Sequence, residues 1–336
     1  MPRLSKLKWI TVYITNNCNL KCKHCCYPSE KNHKDLSIEK IRETIQFCEK
    51  NNIRDFYVTG GEPLLRKDFL EIMSYAAKRI KKPSFSTNGW LVKKKLVKKL
   101  KEIGIRRVNI SIDGFEETHD MLRGRKGSFK RAVRAVEMFS EEGFVTHVQC
   151  TISNLNKDEV VELAEFITAK GAKVFKAVPV TPIGRASIEM MIKPKEYAEI
   201  LRRLTTLIEK GVRVRRVFGL IPEKIPGTKI YECGALRHCV DIAANGDVYP
   251  CSFLPLKIGN IYEQPLEQVL SRQDGLCWLL RMNMKELKER VSKECKECPL
   301  LSQCRGGCLA NSFYYYGDLF RGDPYCWVKQ KYSHAK

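Results

Sequence analysis

The chain has 336 residues, 60 lysines and arginines against 38 aspartates and glutamates, a formal charge of +22, 43% hydrophobic residues and 15 cysteines. That length and apolar content suffice for a large core and two domains, and they exclude a disordered chain or a small disulfide-stapled one. No apolar run reaches the length of a membrane span, and residues 1–8 are short, basic and broken by Pro2, unlike a secretory signal, so a reducing cytoplasm is the expected compartment.

In chain order, the first half alternates β-rich runs with amphipathic ones. Strands are expected over residues 9–15, 55–59, 84–87, 108–112, 146–152 and 174–179. Between them Ser37 is placed to cap a helix, and another begins at Gly127-Ser128-Phe129. Residues 157–170 carry Val160, Val161, Ala164 and Ile167 on one side, with a stop at Gly171. The alternation predicts parallel βα units, and six of them predict an α/β fold built on a partial (β/α)6 barrel over residues 1–190. Residues 191–231 read as a bridge, with a charged helix over 194–210 and a Pro/Gly-punctuated stretch over 219–227. Residues 232–336 are expected to form a small cysteine-rich α+β domain. There, Asn245-Gly246 between runs at 240–244 and 247–249 signals a hairpin, and 265–270 reads as a short helix. Arg305-Gly306-Gly307 permits a close approach of the backbone to a bound group.

Cys18, Cys22 and Cys25 form a CxxxCxxC run. A cubane cluster has four irons, each wanting an outer ligand, and cysteine thiolates are the usual ones. Three thiolates leave one iron open to a small molecule. On these residues alone, zinc with His24 as fourth ligand is the alternative. Eight later cysteines, Cys233, Cys239, Cys251, Cys295, Cys298, Cys304, Cys308 and Cys326, suffice for two four-thiolate clusters or two structural zinc sites. Cys26, Cys48, Cys150 and Cys277 remain, and are expected as small buried apolar residues.

Three more segments follow the triplet: Gly60-Gly61-Glu62-Pro63, Ser86-Thr87-Asn88-Gly89, and Ser111-Ile112-Asp113-Gly114 with His119-Asp120 and Arg123-Gly124. In this order, over residues 8–190, they resemble the radical SAM superfamily, and the later cysteines resemble its SPASM extension. The resemblance implies a 4Fe–4S cluster on Cys18, Cys22 and Cys25. It implies contacts to S-adenosylmethionine from Gly60, Gly61, Glu62, Pro63, Asn88, Ser111, Asp113 and Arg123. It also implies two auxiliary 4Fe–4S clusters, one on Cys233, Cys239, Cys251 and Cys308, the other on Cys295, Cys298, Cys304 and Cys326. In the family S-adenosylmethionine chelates the open iron and is cleaved reductively to a 5′-deoxyadenosyl radical, which takes hydrogen from substrate. A ferredoxin or flavodoxin is the implied electron donor.

Many SPASM members modify peptides, so a peptide or protein substrate is expected. A tetrapyrrole or other cofactor precursor is the alternative, since residues 179–186 and 249–255 resemble tetrapyrrole-modifying members. Sulfatase-maturing members carry aspartate directly after the counterpart of Cys251. Here Ser252 stands there, so formylglycine formation is not expected and no catalytic base is assigned. Seventeen residues precede Cys18, so a fused leader-binding domain is not expected. Lysines crowd residues 78–82 and 93–99, and arginines 213–216, which raises a nucleic-acid reading. The run at 93–99 alternates with Leu91, Val92, Leu96, Val97 and Leu100 as an outer helix face does, so no specific nucleic-acid partner is expected. A multi-cluster electron carrier or a metal-stabilised nucleic-acid module accounts for the cysteines and the charge but leaves the GGEP-like and SxDG-like segments without a role.

Overall fold

A computed structural model of the chain describes residues 6–27, 35–209, 211, 214–216, 232–254 and 256–326. All six predicted strands are present, displaced by no more than two residues at an end: β1 (Trp9–Thr15), β2 (Asp55–Gly60), β3 (Lys82–Thr87), β4 (Arg107–Ser111), β5 (Val145–Ile152) and β6 (Val174–Pro179). They pair in parallel in that order. Helices fill the crossovers: α1 (Ile38–Lys50), α2 (Phe69–Arg79), α3 (Lys94–Glu102), α4 (Glu116–Arg123), α5 (Ser128–Glu141), α6 (Val160–Ala169) and α7 (Pro194–Glu209).

The local causes are visible. The Ser37 side chain accepts from Lys40 N and caps α1, whose buried Ile41, Thr44, Ile45 and Cys48 fall at helical spacing. α4 stops at Gly124, which takes the left-handed conformation at φ +66. α6 begins at Val160, inside the range 157–170 expected for it. Asn156 turns its side chain onto Ser153 N at 2.7 Å and Thr151 O at 2.8 Å, which holds the segment before Val160 in turns.

Sheet pairing continues past β6. β7 (Val214–Arg216), unforeseen in the bridge, adds in parallel to β6; the stretch 219–227 lies outside the described residues. β8 (Cys239–Ile242) adds in parallel to the other side, against β1, with Thr11 opposite Asp241. The predicted hairpin then runs from β8 to β9 (Asp247–Tyr249), and β10 (Gly259–Asn260) pairs antiparallel to β9. Gly246 sits at φ +85, and a Cβ there would meet the Tyr262 ring at 2.4 Å, so glycine is required at this turn. The result is one ten-stranded sheet in the order β10-β9-β8-β1-β2-β3-β4-β5-β6-β7, which runs across the division expected after residue 231. Among the described residues six short helices follow, from Leu266–Ser271 to Leu309–Tyr316.

The sheet is curled. If flat, it would hold β2 and β6 about 19 Å apart, four strand spacings. Instead the Lys176 ammonium of β6 lies 6.0 Å from the centre of the Tyr57 ring of β2. One core holds Ile10, Val12, Phe56, Val58, Phe85, Val148 and Phe175 together with Val240, Ile242 and Val248 from beyond residue 232. Tyr325 locks into it, edge-on to Tyr197 at 4.9 Å and donating to Ile192 O at 3.1 Å. A second, small core joins Met282, Leu287, Val291, Cys295 and Leu301. Cys48, Cys150 and Cys277 are buried as expected, while Cys26 is half-buried. Among the described residues no helix is long and apolar enough to cross a membrane.

Because Ile242 is fully buried on a strand paired to β1, Ile242→Ala is expected to cost about 2–5 kcal/mol. Chemical denaturation under anaerobic conditions should show barrel and C-terminal segment lowered together; a loss confined to the C-terminal segment would contradict a shared core.

Candidate active site

The C-terminal end of β1 opens into the loop that carries Cys18, Cys22 and Cys25. Its backbone is bonded to the far side of the sheet. Lys21 N donates to Arg123 O at 3.3 Å and Lys23 N to Leu122 O at 2.8 Å. Arg185, just beyond β6, donates from Nε to Cys22 O at 2.8 Å and from its backbone N to Cys25 O at 2.9 Å. A Cβ on Gly124 would stand 2.7 Å from Lys21 O, so the loop lies where it does only because that residue is glycine. Arg123 Nη1 donates to Cys22 Sγ at 3.7 Å, and Asn88 Nδ2 lies 4.0 Å from Cys18 Sγ while donating to Asn19 Oδ1 at 2.8 Å.

Asp113, Arg123 and His24 form the buried electrostatic centre. Arg123 Nη2 lies 2.6 Å and His24 Nε2 3.2 Å from Asp113 Oδ2, and Thr151 N donates to Oδ1 at 2.9 Å. Burial alone would raise the Asp113 carboxyl; Arg123 and His24 more than offset this and hold it well below the usual carboxylate range. His24 therefore faces a carboxylate, and the loop presents its three thiols. The His119 ring accepts from Asp113 N at 3.1 Å, and burial, then Arg123, lower its pKa to about 3.

Glu62 is fully buried at the end of β2. It accepts from Asn88 N at 2.7 Å, Thr87 Oγ1 at 2.9 Å and Leu64 N at 3.2 Å. Burial pushes its carboxyl up to about 7 despite those donors. Gly60 and Gly61 pack so tightly that a Cβ on either would fall 2.2 Å from Thr15 O or Asn17 O, and Pro63 opens a short 3₁₀ turn. Ser111 ends β4, half-buried. Thus Gly60, Gly61, Glu62, Pro63, Asn88, Ser111, Asp113 and Arg123 stand with the cysteine loop at one end of the strands, where barrel enzymes keep their chemistry.

Seven of the later cysteines gather in two places, Cys233, Cys239, Cys251 and Cys308 in one and Cys295, Cys298 and Cys304 in the other. Burial, then Asp241, Cys251 and Cys233, push the Cys239 thiol well above its ordinary value. Burial, then Cys233, Asp323 and Cys251, do the same to Cys308. Cys304 is raised by burial and, among its neighbours, by Cys298 and Cys295. Cys326 donates its backbone N to Asp323 O at 3.0 Å. This donor set fits iron–sulfur clusters. Sulfur is gathered in buried ground where free thiolates are costly, and iron takes up that charge. In the N-terminal loop Asn19 Nδ2 is buried without a hydrogen-bond partner, as a site made for a further group would leave it.

Several residues of the site carry no sequence pattern. Asp323 accepts from Cys308 N at 3.1 Å, and its Cβ lies where a Cβ of Gly307 would be, at 2.4 Å. Ser252 donates to Asp241, a carboxyl that burial raises to about 6. Beside it the Tyr13 and Tyr27 rings stand 4.4 Å apart. Arg185 lies within 179–186, but nothing local marks it as the clamp on the loop.

The radical SAM superfamily model matches residues 12–167, and the mycofactocin maturase MftC of Mycolicibacterium smegmatis is 32% identical over 94% of this chain and 82% of its own. This chain belongs to the radical SAM superfamily. The radical SAM enzyme also matches the SPASM iron–sulfur cluster-binding domain over residues 233–299. It uses S-adenosylmethionine and iron–sulfur clusters. An AdoMet-dependent heme synthase of Methanosarcina barkeri is 28% identical over 93% of this chain and 94% of its own. The crystal structure of Streptococcus suis SuiB bound to its precursor peptide SuiA shares the fold, with a TM-score of 0.77 at 19% identity, over 95% of this chain and 76% of that one.

Glu62 carries a stability signature. Its folded pKa lies above the ordinary 4.5, so its contribution is complete below 4.5 and is lost as pH rises through about 7. Unfolding free energy is expected to fall across that window, and Glu62→Gln should remove this part of the slope. Identical slopes for the two proteins would refute the burial argument.

Proposed function

We propose that the enzyme holds three 4Fe–4S clusters and modifies a peptide or protein by hydrogen-atom abstraction. The observation that carries this reading is the convergence of the three-thiol loop, the Glu62 segment and the Arg123–Asp113 pair at one end of the sheet. Cys18, Cys22 and Cys25 would hold the cluster that binds S-adenosylmethionine. Gly60, Gly61, Glu62 and Pro63 receive its amino group, with Asn88, Ser111 and Arg123 around it and Asp113 orienting Arg123. Cys233, Cys239, Cys251 and Cys308 hold one auxiliary cluster; Cys295, Cys298, Cys304 and Cys326 hold the other. When bound, the cofactors supply the 5′-deoxyadenosyl radical. The protein's own part is to orient them, to exclude water and to keep Cys22 beside a fixed positive charge. Residues 1–190, 191–231 and 232–336 serve as core, bridge and auxiliary-cluster unit, with a ferredoxin or flavodoxin as electron donor.

The peptide substrate is supported by the likeness to a maturase and to a protein seen with a precursor peptide. The heme synthase likeness, which spans nearly both chains, favours a tetrapyrrole as the second reading. The test is anaerobic reconstitution and reduction with S-adenosylmethionine, followed by peptides encoded beside the gene and, separately, an iron porphyrin bearing propionates. A mass shift in a peptide with 5′-deoxyadenosine release supports the first reading; decarboxylation of the porphyrin replaces it with the second.

Iron content is expected at about twelve per chain, falling to about eight in Cys18/Cys22/Cys25→Ala with all S-adenosylmethionine cleavage lost. Near-stoichiometric zinc with little iron after careful anaerobic preparation would sink the cluster assignment. Cys295/Cys298→Ala should leave uncoupled cleavage at least partly intact while substrate turnover collapses. Unchanged turnover would reduce that cluster to a scaffold.

A further inference from the structure

One carboxylate stands between the two later sulfur sets. Glu232 immediately precedes Cys233, and Arg305 immediately follows Cys304. Glu232 Oε2 lies 3.3 Å from Arg237 Nε and 3.6 Å from Arg305 Nε, and its Oε1 lies 2.6 Å from His238 Nε2. The side chains of Arg237 and Arg305 are 16% and 11% exposed, so this is an interior group and not a solvent-screened surface pair. Arg305 is anchored a second time, donating from Nη2 to Met282 O at 2.6 Å in the small core that includes Cys295.

The backbone is bent to bring these charges together. Among the described residues three non-glycine residues hold a positive φ, and two of them belong here: Leu236 at +54, next to Arg237, and Arg305 at +56. Left-handed backbone is disfavoured for a residue with a Cβ, and glycine would take the position before Gly306 and Gly307 without strain. An arginine there is accounted for by what its side chain reaches.

That side chain reaches the other sulfur set. In sequence Arg305 adjoins Cys304, yet in space its charge is felt at Cys233. Burial, then Arg237, lower the Arg305 pKa, and Glu232 and Cys233 act against them. The Cys233 thiol is raised by burial and, among its charged neighbours, by Asp323 and Glu232. Cys233 thus lies under a guanidinium and a carboxylate of opposite effect. The group as a whole sets two guanidinium charges against one carboxylate. Such charges set iron–sulfur potentials in part, because a reduced cluster carries one more negative charge than an oxidised one.

We propose that Arg305 and Glu232 set the reduction potential of the auxiliary cluster that Cys233 ligates, Arg305 raising it and Glu232 lowering it. The proposal rests on the cluster assignment above and adds to it two residues that ligate nothing. The excess of guanidinium over carboxylate raises the potential on balance, which suits this cluster to receive an electron rather than to supply one.

Reconstituted full-length protein is titrated anaerobically with dithionite in the presence of redox mediators and followed by electron paramagnetic resonance. S-adenosylmethionine perturbs the signal of the N-terminal cluster, and Cys295/Cys298→Ala removes one auxiliary signal, so the signal that remains belongs to the Cys233 site. Arg305→Met should lower the potential of that signal and Glu232→Gln should raise it, each by about tenfold in the reduction equilibrium constant, or about 59 mV for one electron. Arg305→Lys should keep most of the wild-type value. Arg305→Met and Glu232→Gln break the same ion pair, so a purely structural role would move the potential the same way in both. Shifts of the same sign, or no shift in either variant, overturn the proposal. Where Arg305→Met loses iron, Glu232→Gln decides: a raised potential upholds the proposal and an unchanged one overturns it. Iron lost alike from Arg305→Met, Arg305→Lys and Glu232→Gln assigns the pair to cluster assembly and overturns it too. Wild-type protein with no auxiliary signal defeats the cluster assignment itself, whereas auxiliary signals without opposed shifts defeat this inference alone.

Discussion

The ion pair between Asp113 and Arg123, sealed between the end of β4 and α4, fixes the cysteine loop in space. Arg123 acts on the loop twice, through its carbonyl to Lys21 and through its guanidinium to Cys22, while Asp113 draws in His24. Both partners are almost wholly buried. Removing one partner of such a pair costs about 3–5 kcal/mol, because the other charge is stranded, whereas an exposed pair contributes about 0–1 kcal/mol. The loop's position is therefore set by the interior and not by its own composition. Its exposed residues Lys21 and Lys23 bond back through their backbone N–H groups to Arg123 O and Leu122 O.

A second consequence of burial concerns charge. Cys239, Cys251 and Cys308 lie in ground that resists a free thiolate, and Asp241 beside them is held toward its neutral form. Among the described residues, Arg237 and Arg305 beside this ground pair with Glu232. The auxiliary thiols thus stand in buried ground that disfavours their negative charge. Metal is the economical remedy for that imbalance.

Most of the six strands were legible from their β-branched or aromatic residues, and four lead directly into a motif: β1 into the cysteine loop, β2 into Gly60-Gly61-Glu62-Pro63, β3 into Asn88-Gly89 and β4 into Ile112-Asp113-Gly114. β7 and β10 were not, because three and two residues show no period. The partner of β8 was beyond reach for a different reason: the hairpin to β9 is local, but pairing Cys239 with Trp9 joins residues far apart in the chain. Cysteine spacing announced the sulfur sets. The residues that hold those sets, Arg185 through two bonds to the first loop and Asp323 through its bond from Cys308 N, act between segments apart in the chain and leave no periodic trace. Asp113 was visible through its motif, yet its use as partner to Arg123 and His24 depends on a register only folding supplies.

Because β8 is hydrogen-bonded along β1, the auxiliary cysteines are not carried on a detachable appendage. Cys239 opens the strand that lies beside Trp9, and the same β1 leads directly into Cys18. Exchanging the C-terminal segment between relatives would therefore replace one wall of the barrel, and a chimera joined at the bridge would need a matching β1 to retain its spacing between metal sites. Within such a lineage the two halves are constrained to diversify as a matched pair.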